Sequence, residues 1–297
     1  MDVSEFDGLP VLRSPVAIAA FEGWNDAADA STAAIEHLEQ VWSAKKVAEL
    51  DPEEFYDFQV NRPTVTLADG ETRSIEWPTT RFAVAEPEGT ERDVVLIRGI
   101  EPSMRWRGFC EQVLEICHSL EVSRVVLLGA LLADVPYTRP LPISGSASDP
   151  AAAARLNLTP TRYEGPTGIV GVVHDACKRA NIPSASLWAA VPHYVSLAPS
   201  PKAAKALCVR LADLVGVPIE TTELDDAEDE YEAQVSEAVA SDPDTQAYVE
   251  ELERRADTIQ SFSESGELPT GETLAAELTR FLRDRERRKP PGDPDED

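Results

Sequence analysis

The stretch DVVLIRGIE, residues 93–101, carries four apolar side chains in a row directly after Asp93. Short uninterrupted runs of Val, Leu and Ile are typical of strands buried on both faces, as in a parallel sheet. Runs of the same kind recur as VAIAAF (16–21), RVVLLGA (124–130) and SLWAAV (186–191). The four runs therefore predict the inner strands of one buried sheet.

Helical patterns separate these runs, with apolar residues recurring every three or four positions. They predict helices at 25–42, 102–120, 168–180 and 201–214. Helices alternating with strands indicate a three-layer α/β/α sandwich. Shorter runs at 46–50 and 81–85 add strands, and Asp69-Gly70 between two strand-like runs is typical of a hairpin turn. Because a hairpin is antiparallel, the sheet is expected to be mixed.

The composition changes near residue 221. Residues 221–297 carry 24 acidic and 8 basic residues and contain no strand-like run. Helices are predicted at about 226–240, 243–262 and 270–288, with these residues facing inward: Leu252, Ile259, Leu274, Leu278 and Leu282. The predicted organisation is a sandwich domain over 1–220, an acidic helical appendage over 221–288 and a disordered tail over 289–297.

Charge and cysteine content exclude several function classes. The net charge of −27 opposes binding to nucleic acid and to anionic membranes. The longest apolar run, 125–133, is too short to cross a bilayer, and the acidic N-terminus does not resemble a signal peptide. Four cysteines without a CxxC pair indicate a reduced, cytoplasmic protein, and no residue spacing predicts a metal or a cofactor.

Two polar segments follow the carboxyl ends of predicted strands. In the first, EGWND (22–26), Glu22, Asn25 and Asp26 are interpreted as supplying a carboxylate base together with backbone donors. The alternative is that Asn25 or Asp26 only caps the next helix, and Trp24 is a candidate recognition residue. In the second, 98–106, the residues of interest are Arg98, Glu101 and Arg105. They predict either an anion site or an Arg98–Glu101 ion pair that fixes the loop. If the two strands are neighbours, both segments should lie together.

A third segment, residues 135–142, is rich in proline and is expected to leave Tyr137 and Arg139 projecting. It is interpreted either as a lid or partner-docking strip or as a stiff surface loop. His193 ends the last predicted strand and is a weak candidate for acid/base chemistry. The glycines at 165, 168 and 171 match no phosphate-binding fingerprint, which favours close backbone packing at a helix start.

Four blocks of the sequence are distinctive when taken together: VAIAAFEGWNDAAD (16–29), IRGIEPSMRWR (97–107), PTGIVG (166–171) and IPSASLWAAVPHYV (182–195). These blocks resemble the bacterial branch of the proteasome assembly chaperone 2 family. The resemblance covers about 10–220 and implies an α/β/α fold like that of purine nucleoside phosphorylases and related hydrolases. Eukaryotic relatives act as chaperones that help α-subunits of the 20S proteasome form rings, and the resemblance carries over no activity from the bacterial members.

The resemblance supplies no catalytic residues, because the family has none established. Eukaryotic chaperones of the family dock on the proteasome through a C-terminal hydrophobic-Tyr-X motif. This sequence ends PDED (294–297) and lacks that motif. Docking by that route is therefore not expected.

Two function classes remain after these observations. The leading hypothesis is a non-enzymatic binding or assembly protein that forms a homo-oligomer, with a trimer suggested by the phosphorylase-like fold. Its expected contact surfaces are 135–143 and the aromatic residues Phe55, Tyr56 and Phe58. The alternative is a phosphorylase- or hydrolase-type enzyme. It would hold an anion with Arg98 and Arg105 and use Glu22, Asp26, Glu101 or His193 as acid or base.

Overall fold

The computed structural model describes residues 9–68, 72–148, 153–154, 158 and 163–265. Nine strands occur in these residues: β1 (Val16–Glu22), β2 (Lys45–Glu49), β3 (Thr64–Ala68), β4 (Thr72–Glu76), β5 (Arg81–Ala85), β6 (Val94–Ile100), β7 (Arg124–Ala133), β8 (Ile143–Ala147) and β9 (Ser184–Pro192). Strand β8 lies in a stretch for which the sequence predicted no strand. It pairs with β9 through the backbone, so its own side chains need not form an apolar run.

Seven of the strands form one sheet in the order β2-β5-β6-β1-β7-β9-β8. The inner strands β6, β1, β7 and β9 are parallel, whereas β2, β5 and β8 run antiparallel to their neighbours. The mixed sheet is therefore confirmed. Its antiparallel part is not the predicted hairpin, because β3 and β4 pair only with each other in a separate two-stranded sheet. The Asp69-Gly70 turn lies outside the described residues.

Within the described ranges six α-helices accompany the strands: α1 (Ala30–Val41), α2 (Trp106–Ser119), α3 (Ile169–Arg179), α4 (Pro201–Val215), α5 (Thr222–Ala240) and α6 (Pro243–Ser265). Helices α1 and α4 cover one face of the sheet, where Ile35 and Leu207 pack with Ile18. Helices α2 and α3 cover the other face, where Phe109 and Val173 pack with Ile97. The three-layer α/β/α sandwich is confirmed.

Helices α5 and α6 form a C-terminal helical region in which α5 packs on α4 and α6 packs on α5. Leu252 is buried as predicted, but the inward placement of Ile259 is wrong, since 66% of it is exposed. Helix α6 contacts the rest of the chain near Val249 and Leu252, and Ile259 lies two turns further on. The predicted helix 270–288 and tail 289–297 lie outside the described residues. The domain boundary near 220 stays a prediction.

None of the helices within the described ranges combines the length and the apolar character needed to span a bilayer.

Candidate functional site

The carboxyl ends of β1 and β6 are neighbours at the centre of the sheet. Glu22 is in register with Ile100, and the Glu101 backbone N–H donates a 2.8 Å hydrogen bond to the Glu22 carbonyl. The helices that follow these strands, α1 and α2, lie on opposite faces. In open α/β sheets, ligands bind at such a divergence of adjacent strands. The segments 22–26 and 98–106 therefore meet at one rim of the sheet.

Asn25 and Glu101 join this rim to the start of α3. Glu101 Oε1 accepts hydrogen bonds from Asn25 Nδ2 at 2.7 Å and from the Ile169 backbone N–H at 2.8 Å. Helix starts leave backbone N–H groups unpaired, and a carboxylate there is favoured by the helix dipole. Glu101 therefore caps α3 from a distant loop. Asn25 is 1% exposed, and its Oδ1 is buried without a partner among the described residues.

Gly168 packs against the same asparagine. A Cβ at this position would lie 2.6 Å from Asn25 Cγ, closer than side chains approach one another. The interpretation of this glycine as a close-packing residue at a helix start agrees with this contact.

Asp26 holds the start of α1 rather than facing the rim. Its carboxylate accepts hydrogen bonds from the backbone N–H groups of Ser31 at 2.6 Å and Thr32 at 3.2 Å, and from both hydroxyls. Burial raises the pKa of Asp26, and the four hydrogen bonds oppose that rise. Of the two interpretations of this residue, the geometry shows the capping one, because both oxygens are fully engaged by donors of α1.

Arg98 turns toward α1, not toward Glu101. Its guanidinium pairs with Glu36 at 2.8 Å and with Glu39 at 3.0 Å, so the expected Arg98–Glu101 ion pair is wrong. The reason is the direction of the side chains in β6, since Arg98 lies on the sheet face that α1 covers. Nearby, burial raises the pKa of Glu22, and the Arg98 charge opposes the rise.

Arg105 also leaves the rim. It pairs with Glu54 at 3.1 Å, and its guanidinium lies 5.9 Å from the ring centre of Phe55. Helix α2 begins at Trp106, four residues later than predicted, and Arg105 just before it has a left-handed backbone conformation. The rim thus brings together Glu22, Asn25 and Glu101, whereas the two arginines are held by separate glutamates.

The aromatic residues at 55–58 are not an outer surface. Phe55 lies edge-on to Phe109 in the core, and Tyr56 donates its hydroxyl hydrogen bond to the Ile100 carbonyl. Phe58 is half-buried and lies edge-on to Trp77. The expectation that this segment offers an oligomer contact is therefore wrong, because core packing uses its rings.

Tyr137 and Arg139 do not project either. Tyr137 is only 9% exposed and packs with Tyr231 and Val235 of α5. Arg139 makes a two-pronged contact with Asp257 of α6, at 2.7 and 3.0 Å. The expectation of a projecting lid or docking strip fails because α5 and α6 cover the segment.

His193 lies apart from the rim, where it helps to hold α6. The rings of His193, Tyr194 and Tyr248 meet edge to face with centroids 5.6 to 5.8 Å apart. Asp134 accepts a 3.0 Å hydrogen bond from the Tyr248 hydroxyl and lies 3.2 Å from His193 Nδ1. Tyr194 accepts from the Tyr137 backbone N–H and donates to the Val135 carbonyl. These three rings and their hydrogen bonds thus connect the end of β9, segment 133–139 and α6.

Apolar side chains are exposed at the same ends of the inner strands. Trp24, which follows β1, is 66% exposed, and Met104 after β6 is also exposed. Leu131 and Leu132, near the end of β7, are exposed as well. The Asn25 carbonyl accepts a hydrogen bond from the Ala130 N–H at 2.8 Å, which places Trp24 and Leu131 on either side of one junction. We call these four residues the apolar rim.

Sequence reasoning found Trp24 but missed the other three members of the apolar rim. A Leu-Leu pair at the end of a core strand looks the same whether it is buried or exposed. Leu131 and Leu132 are exposed because β7 extends beyond its neighbour β1, which pairs with β7 only as far as Leu127 of β7. The local sequence does not indicate this difference in strand length.

Comparison with known proteins places the chain in a family. The model of the PAC2 family matches residues 20–239, which is most of the chain. The chain belongs to the PAC2 family. The resemblance predicted from the sequence blocks is thus confirmed, and the matched residues extend through most of α5.

Two solved PAC2-type structures are similar over nearly their whole length. A PAC2 family protein from Streptomyces avermitilis is 52% identical, with a TM-score of 0.75, and the match covers 79% of this chain and 99% of that one. A proteasome-assembly chaperone homologue from Mycobacterium tuberculosis is 49% identical, with a TM-score of 0.73 and the same coverage. No curated protein matches the chain.

A more distant likeness concerns the fold alone. Pyrococcus furiosus PbaB, an archaeal proteasome activator, is 18% identical with a TM-score of 0.63. The match covers 77% of this chain and 95% of that one. The PAC2 sandwich is therefore retained at low sequence identity.

Across the described residues, no three His, Cys, Asp or Glu side chains lie close enough to hold a metal ion. All four cysteines are buried and free. Burial raises the pKa of Cys110 to about 11 and that of Cys117, Cys177 and Cys208 to about 12.

These raised pKa values predict unreactive thiols. The thiolate is the reacting form, and at pH 8 a thiol with a pKa near 11 is ionised to roughly one part in a thousand. We expect Ellman's reagent to react slowly with the native protein and to titrate four thiols at once after unfolding in guanidinium. A fast-reacting thiol in the native protein would contradict this prediction and would indicate a nucleophile that the fold does not show.

Proposed function

We propose that this PAC2 protein is a non-enzymatic, assembly-chaperone-like binding protein that acts through protein–protein contacts at the apolar rim. The proposal rests on one observation, namely that the charged groups around the rim are already paired within the chain. Arg98 pairs with Glu36 and Glu39, Arg105 pairs with Glu54, and the start of α3 is bound by Glu101. Groups that would hold an anionic substrate are already neutralised by carboxylates of the chain.

The same observation weighs against the alternative of a phosphorylase- or hydrolase-type enzyme. A phosphate or carboxylate ligand would have to displace glutamates that are already hydrogen-bonded or paired. What the rim offers instead is exposed apolar surface at Trp24, Met104, Leu131 and Leu132. Aromatic residues and methionine are enriched in protein–protein contacts, where a tryptophan often contributes most of the binding energy.

The class of partner follows from the relatives. The M. tuberculosis protein at 49% identity is described as a proteasome-assembly chaperone homologue. We therefore propose that the partner is a proteasome subunit, bound before or during assembly. A cytoplasmic location and a homo-oligomer, with three subunits as the expected number, belong to the same proposal.

The test is binding to purified proteasome α-subunits of the same organism, measured by isothermal titration calorimetry. Trp24→Ala and, separately, Leu132→Asp should weaken binding by at least about tenfold, because each removes apolar area from the centre of the contact. Val209→Asp is the matched control, since Val209 is an exposed apolar residue on α4. Its affinity should equal that of the wild type.

Two results would contradict the proposal. Equal affinity for the wild type, Trp24→Ala and Leu132→Asp would place the contact elsewhere. Absence of binding by the wild type, together with turnover of a phosphorylated or esterified small molecule, would favour the enzymatic alternative.

A further inference from the structure

The β3–β4 hairpin has two unlike faces. Val65 is directly opposite Ile75, and Leu67 is directly opposite Arg73, so these four side chains share one face. The other face carries Thr64, Thr66, Ser74 and Glu76, with a 2.7 Å hydrogen bond between the hydroxyls of Thr66 and Ser74. One face is therefore largely apolar and the other is polar.

The apolar face is open to solvent. Val65, Leu67, Ile75 and the following Trp77 are between 44% and 61% exposed. A two-stranded hairpin is only marginally stable in water by itself, and a contiguous exposed apolar face marks an interaction site. The Trp77 ring lies edge-on to Phe58 with centroids 4.9 Å apart, which fixes the base of the hairpin against the body.

The charge around the hairpin differs from that of the rest of the chain. Residues 62–81 contain three acidic and three basic residues, whereas the whole chain has a net charge of −27. Residues 222–265, which form α5 and α6, contain 15 acidic and two basic residues. The hairpin connects β2 and β5 at one edge of the sheet, and α5 packs on α4 beside β9 toward the other edge. The near-neutral segment and the most acidic helices thus belong to different edges of the sheet.

We infer that the apolar face of the β3–β4 hairpin is the surface on which a second copy of this chain docks. This inference rests on the proposed self-association but not on the apolar rim. Two strongly acidic copies repel each other least where their local charge is near zero, and that place also carries the exposed apolar side chains. Self-association therefore favours the hairpin over any surface near α5 and α6.

A basic side chain on the same face supports this choice of partner. Arg73 is exposed and makes no ion pair with any residue that the structure describes. A cation on this face offsets part of the repulsion between two copies that each carry a net charge of −27. The four half-exposed side chains alone offer less surface area than the ~800 Å² that each partner buries in a standard interface. The contact should consequently weaken at micromolar dilution.

The experiment measures molar mass by light scattering over a range of protein concentrations. The wild type should report a multiple of 32.4 kDa at high concentration. Val65→Glu should raise the dissociation constant by at least about a hundredfold, because it buries a carboxylate in the contact. Thr64→Glu is the matched control, since it adds the same charge one residue away on the polar face. It should leave the mass unchanged.

A second variant guards against a hairpin that simply fails to form. Val65→Thr with Ile75→Thr keeps both β-branched side chains, and so keeps strand propensity, while it removes apolar area. It should also weaken association, with an unchanged far-ultraviolet circular dichroism spectrum.

The outcomes separate the two proposals. A wild type that stays at 32.4 kDa at all concentrations overturns self-association together with this inference, and leaves binding at the apolar rim to its own test. A wild-type oligomer whose mass is unaffected by the Val65 and Ile75 variants overturns the hairpin inference alone.

Discussion

Replacing Lys202 with alanine is expected to lower the free energy of unfolding by about 2 to 3 kcal/mol and to loosen the C-terminal helices. Lys202 is the second residue of α4 and is buried, with only 8% of the residue exposed. Its ammonium donates a 2.6 Å hydrogen bond to the Tyr137 carbonyl and pairs with Glu232, and it lies 3.7 Å from Glu228. One cation thus joins the sandwich, segment 133–139 and α5.

The size of the effect follows from what alanine would leave behind. Glu228 and Glu232 would face each other without that cation, and the Tyr137 carbonyl would lose its donor. Removing one partner of a buried charge pair costs more than the pair itself contributes, because the remaining charge stays desolvated. Partial exposure of Glu232 reduces the cost below that of a fully buried pair.

Lys205→Ala is the matched control for this prediction. Lys205 lies one turn along α4 and pairs with Asp225 and Glu228, but its side chain is 31% exposed. It should cost less than about 1 kcal/mol in urea unfolding. Limited proteolysis should cut between α4 and α6 faster in Lys202→Ala than in Lys205→Ala. Equal unfolding free energies for the two variants would show that Lys202 does not hold the helices.

The sequence predicted the sandwich because its inner strands carry their own signal. A strand such as β6, buried on both faces, must be apolar along its whole length, and that requirement is visible in the residues 94–97. Strand β8 has no such requirement. It lies at the edge of the sheet and pairs on one side only, so its sequence ISGSA resembles a loop.

The surface residues were harder to predict because their partners are distant in sequence. Tyr137 and Arg139 look exposed in a proline-rich segment, but the residues that cover them come from α5 and α6, about 100 positions later. Glu101 is similar, since Asn25 and Ile169 lie 76 and 68 positions away. Local spacing identified these residues as important and could not show whether each one meets solvent, a ligand or another part of the chain.

The candidate site was predicted better than the roles of its members. Two loops after parallel strands meet whenever the strands are adjacent, and β1 and β6 are adjacent. The sequence therefore indicated which segments converge. It could not indicate that Arg98 would turn to α1 and Arg105 to Glu54, because both choices depend on which sheet face each helix covers.

Replacing Glu101 with alanine is expected to destabilise the protein by about 2 kcal/mol. The change removes the acceptor for the Ile169 N–H and for Asn25 Nδ2, and the Asn25 Oδ1 atom already lacks a partner among the described residues. The asparagine is buried, so water cannot readily replace the lost hydrogen bonds. The start of α3 and the 22–26 loop should loosen together, and Trp24 should lose its fixed position.

The variant Glu101→Gln tests whether capping of α3 requires the negative charge of Glu101 or only its hydrogen-bond acceptor. The glutamine carbonyl can accept both hydrogen bonds but has no charge for the helix dipole, so it should cost about 1 kcal/mol or less. Unfolding in urea measures both variants, and calorimetry with the proposed partner shows whether binding at Trp24 falls with them. If Glu101→Ala kept full stability, the carboxylate would not be needed to cap α3. The start of that helix would then be free to bind an external anion, as the enzymatic alternative requires.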